Sequence, residues 1–253
     1  MIALDGRAFV VLGAGAGIGT ATAHALAGAG AQVLCVDRDA ALAAEIASAV
    51  NGVPLAADVT QRSEMERVFE AARTRLSAPL TGLVDIVGVA TFGALTGTTD
   101  ETWNAQFDTV LRHAYLAVQL GGEAIAQSGG GTMVFIGSLS GYRSISNRGA
   151  YGAAKAALHQ LVRNAAHELG PRNVWVNAVA PGLVRTPRLV ASLPAEAWAR
   201  IEQAIPLRRT ATPEDVAGTI LFLSSEMSSV ISGAIIPVDG ALGVVAALPE
   251  FGP

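Results

Sequence analysis

Short apolar runs alternate along this chain with longer alanine-rich stretches, and that rhythm gives the first structural reading. Arg7 to Leu12, Gln32 to Val36, Val53 to Ala57, Leu83 to Val87, Thr132 to Ile136 and Val174 to Val179 are compact, largely apolar runs of strand length. Runs without polar alternation suit strands buried on both faces. Between them lie segments of helical composition: Thr20 to Ala29, one from about Ala40, one from Ser63, a long one from about Glu101 to Ala126, and the alanine-rich stretch containing Tyr151. Alternation at this pace predicts an α/β fold, a parallel sheet covered by helices on both faces. Gly129-Gly130-Gly131 is too short for a domain linker, and no internal repeat appears, so residues 1–253 read as a single domain.

Composition narrows the function classes. Hydrophobic residues make up 51% and charged residues 15% of the 253, which fits an ordered, well-buried chain. A net charge of −4 provides no basic footprint for nucleic acid. Cys35 is the only cysteine, which excludes an intrachain disulfide and a cysteine metal cluster, and its apolar surroundings predict a buried, inert thiol. No metal site is expected. Neither a secretion signal nor an apolar run of membrane-spanning length is visible, so the expectation is a soluble cytoplasmic protein without a membrane partner.

The first strand runs into Gly13-Ala14-Gly15-Ala16-Gly17-Ile18-Gly19, which opens the first helix. Glycines there permit a tight turn and let a pyrophosphate approach main-chain N–H groups at the helix start. Asp37 closes the second strand, where a carboxylate can accept hydrogen bonds from an adenosine ribose and repel a 2′-phosphate. That favours NAD over NADP. Arg38 is the opposing signal, because an arginine there could accept the phosphate. Helix N-capping is the structural alternative, expected for Asp39 and compatible with ribose binding at Asp37. The glycine loop specifies the sheet as a Rossmann-type, doubly wound one.

Ser138 follows the strand at Thr132, and Tyr151 and Lys155 stand four residues apart in a helical segment. That spacing puts both on one helix face. A fixed ammonium beside a phenol favours the phenolate, which can then move a hydroxyl proton. Alone, Tyr-x-x-x-Lys is a common surface pattern. Its weight comes from the glycine loop and from Ser138, whose hydroxyl could bond a carbonyl or alkoxide oxygen beside the tyrosine.

Taken together, Gly13-x-Gly15-x-Gly17-Ile18-Gly19, Asp58-Val59, Ser138, Tyr151-x-x-x-Lys155, Asn177-x-x-x-Pro181-Gly182, Thr186 and Asp239-Gly240 resemble the short-chain dehydrogenase/reductase family over essentially the whole chain. The resemblance implies catalysis by Ser138, Tyr151 and Lys155, with Lys155 also binding the nicotinamide ribose. It implies that Asp58 and Val59 border the adenine and that Gly88, Pro181, Gly182, Val184 and Thr186 line the nicotinamide side. A homotetramer is implied as well. Without the resemblance, Asp58 reads as a cap for the helix near Ser63. The chain departs from the family pattern at Leu12, at Asp85-Ile86-Val87-Gly88 where the family has Asn-Asn-Ala-Gly, and at Val110, which replaces the relay asparagine. Valine neither donates nor accepts, so the proton needs another route. His113 and Thr109 are neighbours expected to face elsewhere.

For the substrate, the segment 183–206 reads as a lid rich in apolar residues, among them Leu183, Leu189, Val190, Leu193, Trp198, Ile201 and Ile205. The alternative reading is a helix packing its apolar face. Leu139, Ser140 and Phe92 are further expected pocket walls, and Arg143, Arg148 and Arg188 are the cations near the site. The expectation is an NAD-dependent oxidoreductase interconverting a secondary alcohol and a ketone on a small apolar molecule, alicyclic, aromatic or steroid-like. A 3-oxoacyl thioester reductase, acting on acyl-carrier protein or coenzyme A, is the alternative within the class; a dinucleotide-binding sensor with decayed catalysis is the alternative outside it. Gly233 to Ala247, with a turn at Asp239-Gly240, reads as an edge strand or a subunit interface.

Overall fold

The computed structural model describes residues 2–244. Seven strands form one parallel sheet: β1 (Ala8–Leu12), β2 (Gln32–Asp37), β3 (Val53–Ala56), β4 (Leu80–Asp85), β5 (Gly131–Ile136), β6 (Val174–Pro181) and β7 (Ile235–Val238). Their order is β3-β2-β1-β4-β5-β6-β7, so the winding reverses between β1 and β4. The register places Leu12 beside Val36 on one side and Asp85 on the other. In open parallel sheets ligands bind beyond the carboxyl ends of the strands at such a reversal.

Alternation along each strand builds two cores. Val10, Leu12, Leu34, Leu83, Met133 and Phe135 point to one face. Phe9, Val11, Val33, Cys35, Val84 and Val134 point to the other. Both faces are therefore dry, which is why the strands read as unbroken apolar runs. Burial pushes the Cys35 thiol up to about 12, so it stays protonated and inert.

The helices are α1 (Ile18–Gly28), α2 (Ala40–Ala49), α3 (Arg62–Arg75), α4 (100–127), α5 (Gly149–Leu169), α6 (Pro187–Ser192), α7 (Ala195–Ala204) and α8 (Pro213–Leu223). Asp39 caps α2 by accepting from the Ala41 and Leu42 N–H groups, as its position predicted. The expected single helix from Glu101 to Ala126 contains two π-helical turns, Asp108–Arg112 and Ala117–Gly121. Each wide turn shifts the phase of the side chains that follow. The fourth strand also differs from expectation, running from Leu80 to Asp85 rather than from Leu83 to Val87. It ends where the Asp85 carboxylate accepts the Val87 N–H at 3.1 Å and turns the chain away from the sheet.

Within Gly233 to Ala247, β7 lies at the sheet edge beside β6, and the Asp239 carboxylate holds the following turn through the N–H groups of Ala241 and Gly243. Residues 245–247 lie outside the described residues. Among the described residues no helix is long and apolar enough to cross a membrane.

Candidate active site

The loop from β1 to α1 packs as only glycines allow. A Cβ on Gly19 would collide with the Gly13 carbonyl oxygen, and one on Gly15 would sit 2.6 Å from Leu42 and 2.7 Å from an Asp37 carboxylate oxygen. Gly13 and Gly17 have φ of +80° and +60°, a region that side chains disfavour. Asp37 itself accepts from the Gly15 N–H at 3.0 Å and the Asp39 N–H at 3.0 Å. One carboxylate thus fastens the loop to the end of β2.

That carboxylate borders a cavity of about 520 Å³ walled by Gly13, Asp37, Arg38, Asp58, Val59 and Gly88, among others. Asp58 is not the cap of α3. Its carboxylate accepts from the N–H and hydroxyl of Thr60, a local turn, while α3 begins later, at Arg62. These residues fit a dinucleotide: a glycine cradle at the start of α1, a carboxylate at the end of the neighbouring strand, and an apolar wall at Val59.

A second cavity of about 390 Å³ holds two of the three side chains expected to be catalytic. Ser138, Tyr151, Ile18, Pro181, Gly182 and Leu183 contribute to it. Val184, Thr186, Leu189 and Phe92 also line it. Gly88, Val89 and Arg188 belong to the walls of both cavities, so the two spaces meet at these residues. Thr186 caps α6 and lies against the glycine loop, 3.2 Å from where a Cβ of Gly17 would be.

Lys155 is 1% exposed and donates to the Ile136 carbonyl at 2.6 Å. Its ammonium stands 5.7 Å from the Tyr151 ring centre. A Cβ on Gly88 would lie 3.3 Å from that nitrogen and 3.8 Å from the Thr109 carbonyl oxygen. Glycine at 88 therefore leaves the Lys155 head group and α4 within reach of one point. Val110 is fully buried in the first π turn and offers no polar atom.

Two expected wall residues face elsewhere. The Ser138 hydroxyl oxygen accepts the Ser140 N–H at 3.1 Å, closing a tight turn over Leu139–Gly141. That turn directs Ser140 into a separate groove with Tyr142, Arg143 and Gly152, and Leu139 toward Gly243. Neither Leu139 nor Ser140 lines the cavity that holds Tyr151. Arg143 is likewise turned away, donating to the Gly243 carbonyl at 2.5 Å.

The lid segment divides by helix. Leu183, Leu189 and Ser192 reach the cavity, whereas Trp198 and Ile205 are buried against the body. The Arg185 guanidinium lies 4.6 Å over the Trp198 ring and pairs with Glu202 at 2.9 Å. The apolar spacing of α7 thus serves packing, and α6 serves the cavity.

The sequence reading missed two histidine contacts around this site. His113 and Asp85, both 1% exposed, meet at 2.7 Å on the far side of the Gly88 turn. His159 stands four residues past Lys155, and its Nε2 accepts the Ser138 N–H at 3.3 Å. Gly137 and Gly141 leave room for the ring, since a Cβ on either would collide with it. The i, i+4 spacing from Lys155 was the available signal for His159. No spacing rule links Asp85 with a residue 28 positions later.

Because Nε2 accepts, the His159 ring is neutral with its proton on Nδ1. Burial first, then the charges of Lys155 and Arg163, push its pKa down from 6.5 to about 4. The unfolded chain takes up a proton as pH falls through 6.5, and the folded chain does so only near 4. The stability this contributes above pH 6.5 is therefore lost progressively toward pH 4. In His159→Gln the urea midpoint is expected to fall less steeply over that window. An unchanged slope in the variant would show that His159 does not carry the dependence.

Known proteins agree with this architecture. A family model described as enoyl-(acyl carrier protein) reductase matches residues 13–242. The chain is 36% identical over 187 residues to the 3-oxoacyl-[acyl-carrier-protein] reductase MabA of Mycobacterium tuberculosis (strain ATCC 25618 / H37Rv), covering 74% of this chain and 75% of the relative. It is 49% identical over 114 residues to the cyclohexanol dehydrogenase of Rhodococcus sp. (strain TK6), covering 44% and 42% of the two chains. A solved 7α-hydroxysteroid dehydrogenase, complexed with NADH and 7-oxo glycochenodeoxycholic acid, superposes with a TM-score of 0.88 at 30% identity over 94% of each chain. With the glycine cradle, the β1/β4 reversal and the Ser138–Tyr151 cavity, these likenesses place the chain in the short-chain dehydrogenase/reductase family of oxidoreductases.

Proposed function

We propose that this protein is an NAD-dependent oxidoreductase that interconverts a secondary alcohol and a ketone on a compact, largely apolar substrate. The observation that carries the reading is the meeting of the two cavities at Gly88, Val89 and Arg188, with Ser138 and Tyr151 on one side and Asp37 on the other. Proteins of this family use a nicotinamide dinucleotide. When bound, the nicotinamide supplies the hydride acceptor or donor.

The chain's own residues do the rest. The Ser138 oxygen accepts the Ser140 N–H, which leaves the hydroxyl hydrogen free to donate to the substrate oxygen. Tyr151 takes the carbinol proton during oxidation and returns it during reduction. Lys155, buried with the Ile136 carbonyl as partner, keeps a positive charge beside the phenol where the phenolate forms. With Val110 offering no polar side chain, the proton path on the Lys155 side runs by a route other than that residue. Leu183 and Leu189 exclude water from above.

Asp37 supports NAD, because its carboxylate repels a 2′-phosphate. Titration of the purified protein is expected to show NADH binding at least ~10-fold tighter than NADPH. Preference for NADPH would overturn this and make Arg38 the residue to test. The kinship with MabA favours a second reading, reduction of a 3-oxoacyl thioester. A screen of thioesters against free ketones separates the two. A homotetramer is proposed on family grounds, and sedimentation at micromolar concentration tests it.

A further inference from the structure

The cavity around Tyr151 is apolar in most of its wall, yet two arginines, Arg148 and Arg188, enter it and no aspartate or glutamate does. Seven of the sixteen arginines, Arg7, Arg62, Arg67, Arg73, Arg172, Arg185 and Arg209, meet a carboxylate among the described residues. Neither Arg148 nor Arg188 has a side-chain ion pair or hydrogen bond among the described residues. A positive cavity in a chain of net charge −4 is a local reversal of sign. Apolar walls sharpen such a field, because low-dielectric surroundings screen it less.

The two arginines are placed differently. Arg188, near the start of α6, also lines the dinucleotide cavity, so its charge is shared with the cofactor side. Arg148 does not line that cavity; it stands between the Tyr151 cavity and the groove of Ser140 and Tyr142. It precedes α5 and stands three residues before Tyr151, and its backbone is tied to Gly93 through a parallel bridge. Its guanidinium lies 4.9 Å over the Phe92 ring, and Phe92 is itself 65% exposed at the cavity rim. A planar guanidinium held on an aromatic face keeps its N–H edge free for a planar oxyanion.

We propose that the substrate carries an anionic oxygen group, carboxylate or phosphate, bound by Arg148 with Phe92 as its platform, while the carbinol or carbonyl carbon faces Ser138 and Tyr151. The inference rests on the oxidoreductase reading and specifies its substrate class. A molecule that fits a cavity of about 390 Å³ and spans from Tyr151 to Arg148 is a small hydroxy or keto acid, or phosphate ester, with an apolar body. The acyl-carrier alternative makes a different demand, since its phosphate sits at the end of a long arm outside such a cavity.

The test uses matched congeners with the full-length protein and NAD: 3-hydroxycyclohexanecarboxylate against its methyl ester, and 3-hydroxycyclohexyl phosphate against the free diol. The wild type is expected to favour an anionic member by at least ~10-fold in kcat/KM, mainly through KM, and less at high salt. Arg148→Gln is expected to bring that ratio close to one, with partial recovery in Arg148→Lys, while the exposed control Arg73→Gln, on α3, keeps it. The arm that shows the preference identifies carboxylate or phosphate. Calorimetric binding of cyclohexanecarboxylate and cyclohexyl phosphate, with wild type and Arg148→Gln, gives a readout independent of turnover. Equal kcat/KM for charged and neutral members, or anion binding unaltered in Arg148→Gln, overturns the proposal while leaving the oxidoreductase reading intact. Failure to bind either dinucleotide would instead strike at that reading itself.

Discussion

Replacing Tyr151 by phenylalanine is expected to lower kcat by about 10³-fold, with NADH affinity changed by no more than ~5-fold. General acid–base catalysis by a positioned side chain contributes roughly 10²–10⁴ in rate. Tyr151 is the phenol that shares a cavity with Ser138, and Lys155 is the cation behind it. Phenylalanine keeps the ring and its packing on α5 and removes only the oxygen to which the proposed mechanism assigns the proton transfer. Any hydrogen bond lost toward the cofactor is worth on the order of 1 kcal/mol, which sets the limit on the change in affinity. Steady-state kinetics and a fluorescence titration of NADH on the same variant separate the two effects. A variant that retained more than about a tenth of the wild-type kcat would remove Tyr151 from the chemistry, against the usual size of such effects.

Asp85→Ala is expected to cost about 2–6 kcal/mol of folding stability, because it strips the acceptor from two buried groups at roughly 1–3 kcal/mol each. Asp85 and His113 are each 1% exposed, and the carboxylate holds both the His113 ring and the Val87 N–H. Among the described residues His113 Nε2 has no hydrogen-bond partner, so Asp85 is the ring's polar anchor. Alanine leaves the imidazole and the Val87 amide buried without an acceptor. Asp85→Asn keeps the oxygen for Val87 and offers an amide to the ring, so its loss is expected to be well under half that of alanine. Urea unfolding of the two variants checks this. Similar midpoints for Asp85→Ala and the wild type would mean that the pair contributes nothing to stability. The same contact bears on the site, because the turn it holds carries Gly88 to the Lys155 ammonium.

Much of the fold follows from short-range rules. Unbroken apolar runs mark strands whose two faces are both dry, and they met that condition at Phe9 and Val10 on opposite sides of one sheet. The glycine loop was legible because a tight turn before a helix leaves room for nothing larger at Gly19. Tyr151 and Lys155 were legible as a pair because helical geometry alone sets which residues share a face.

Other features depended on contacts that no local rule encodes. Leu139 and Ser140 adjoin Ser138 in the chain, yet one hydrogen bond, from the Ser140 N–H to the Ser138 oxygen, turns them away from the cavity. The long helix over 100–127 keeps its helical composition through two π turns, and one extra residue per turn changes which side chains face inward without altering hydrophobic content. The spacing of Trp198, Ile201 and Ile205 already suited a packing face as well as a lid, and the packing of α7 beneath Arg185 put Trp198 in the body.

The sequence by itself determined the order of strands and helices, the dinucleotide cradle and the Tyr151–Lys155 face, because each is set by bonded geometry and by neighbours within a few residues. The tertiary structure alone decided that Asp85 meets His113, that His159 supports Ser138, and that Arg148 enters the Tyr151 cavity without a carboxylate. Those contacts join segments whose approach is set by sheet pairing and helix packing across the whole domain, and the energy that fixes them exists only once the chain has closed.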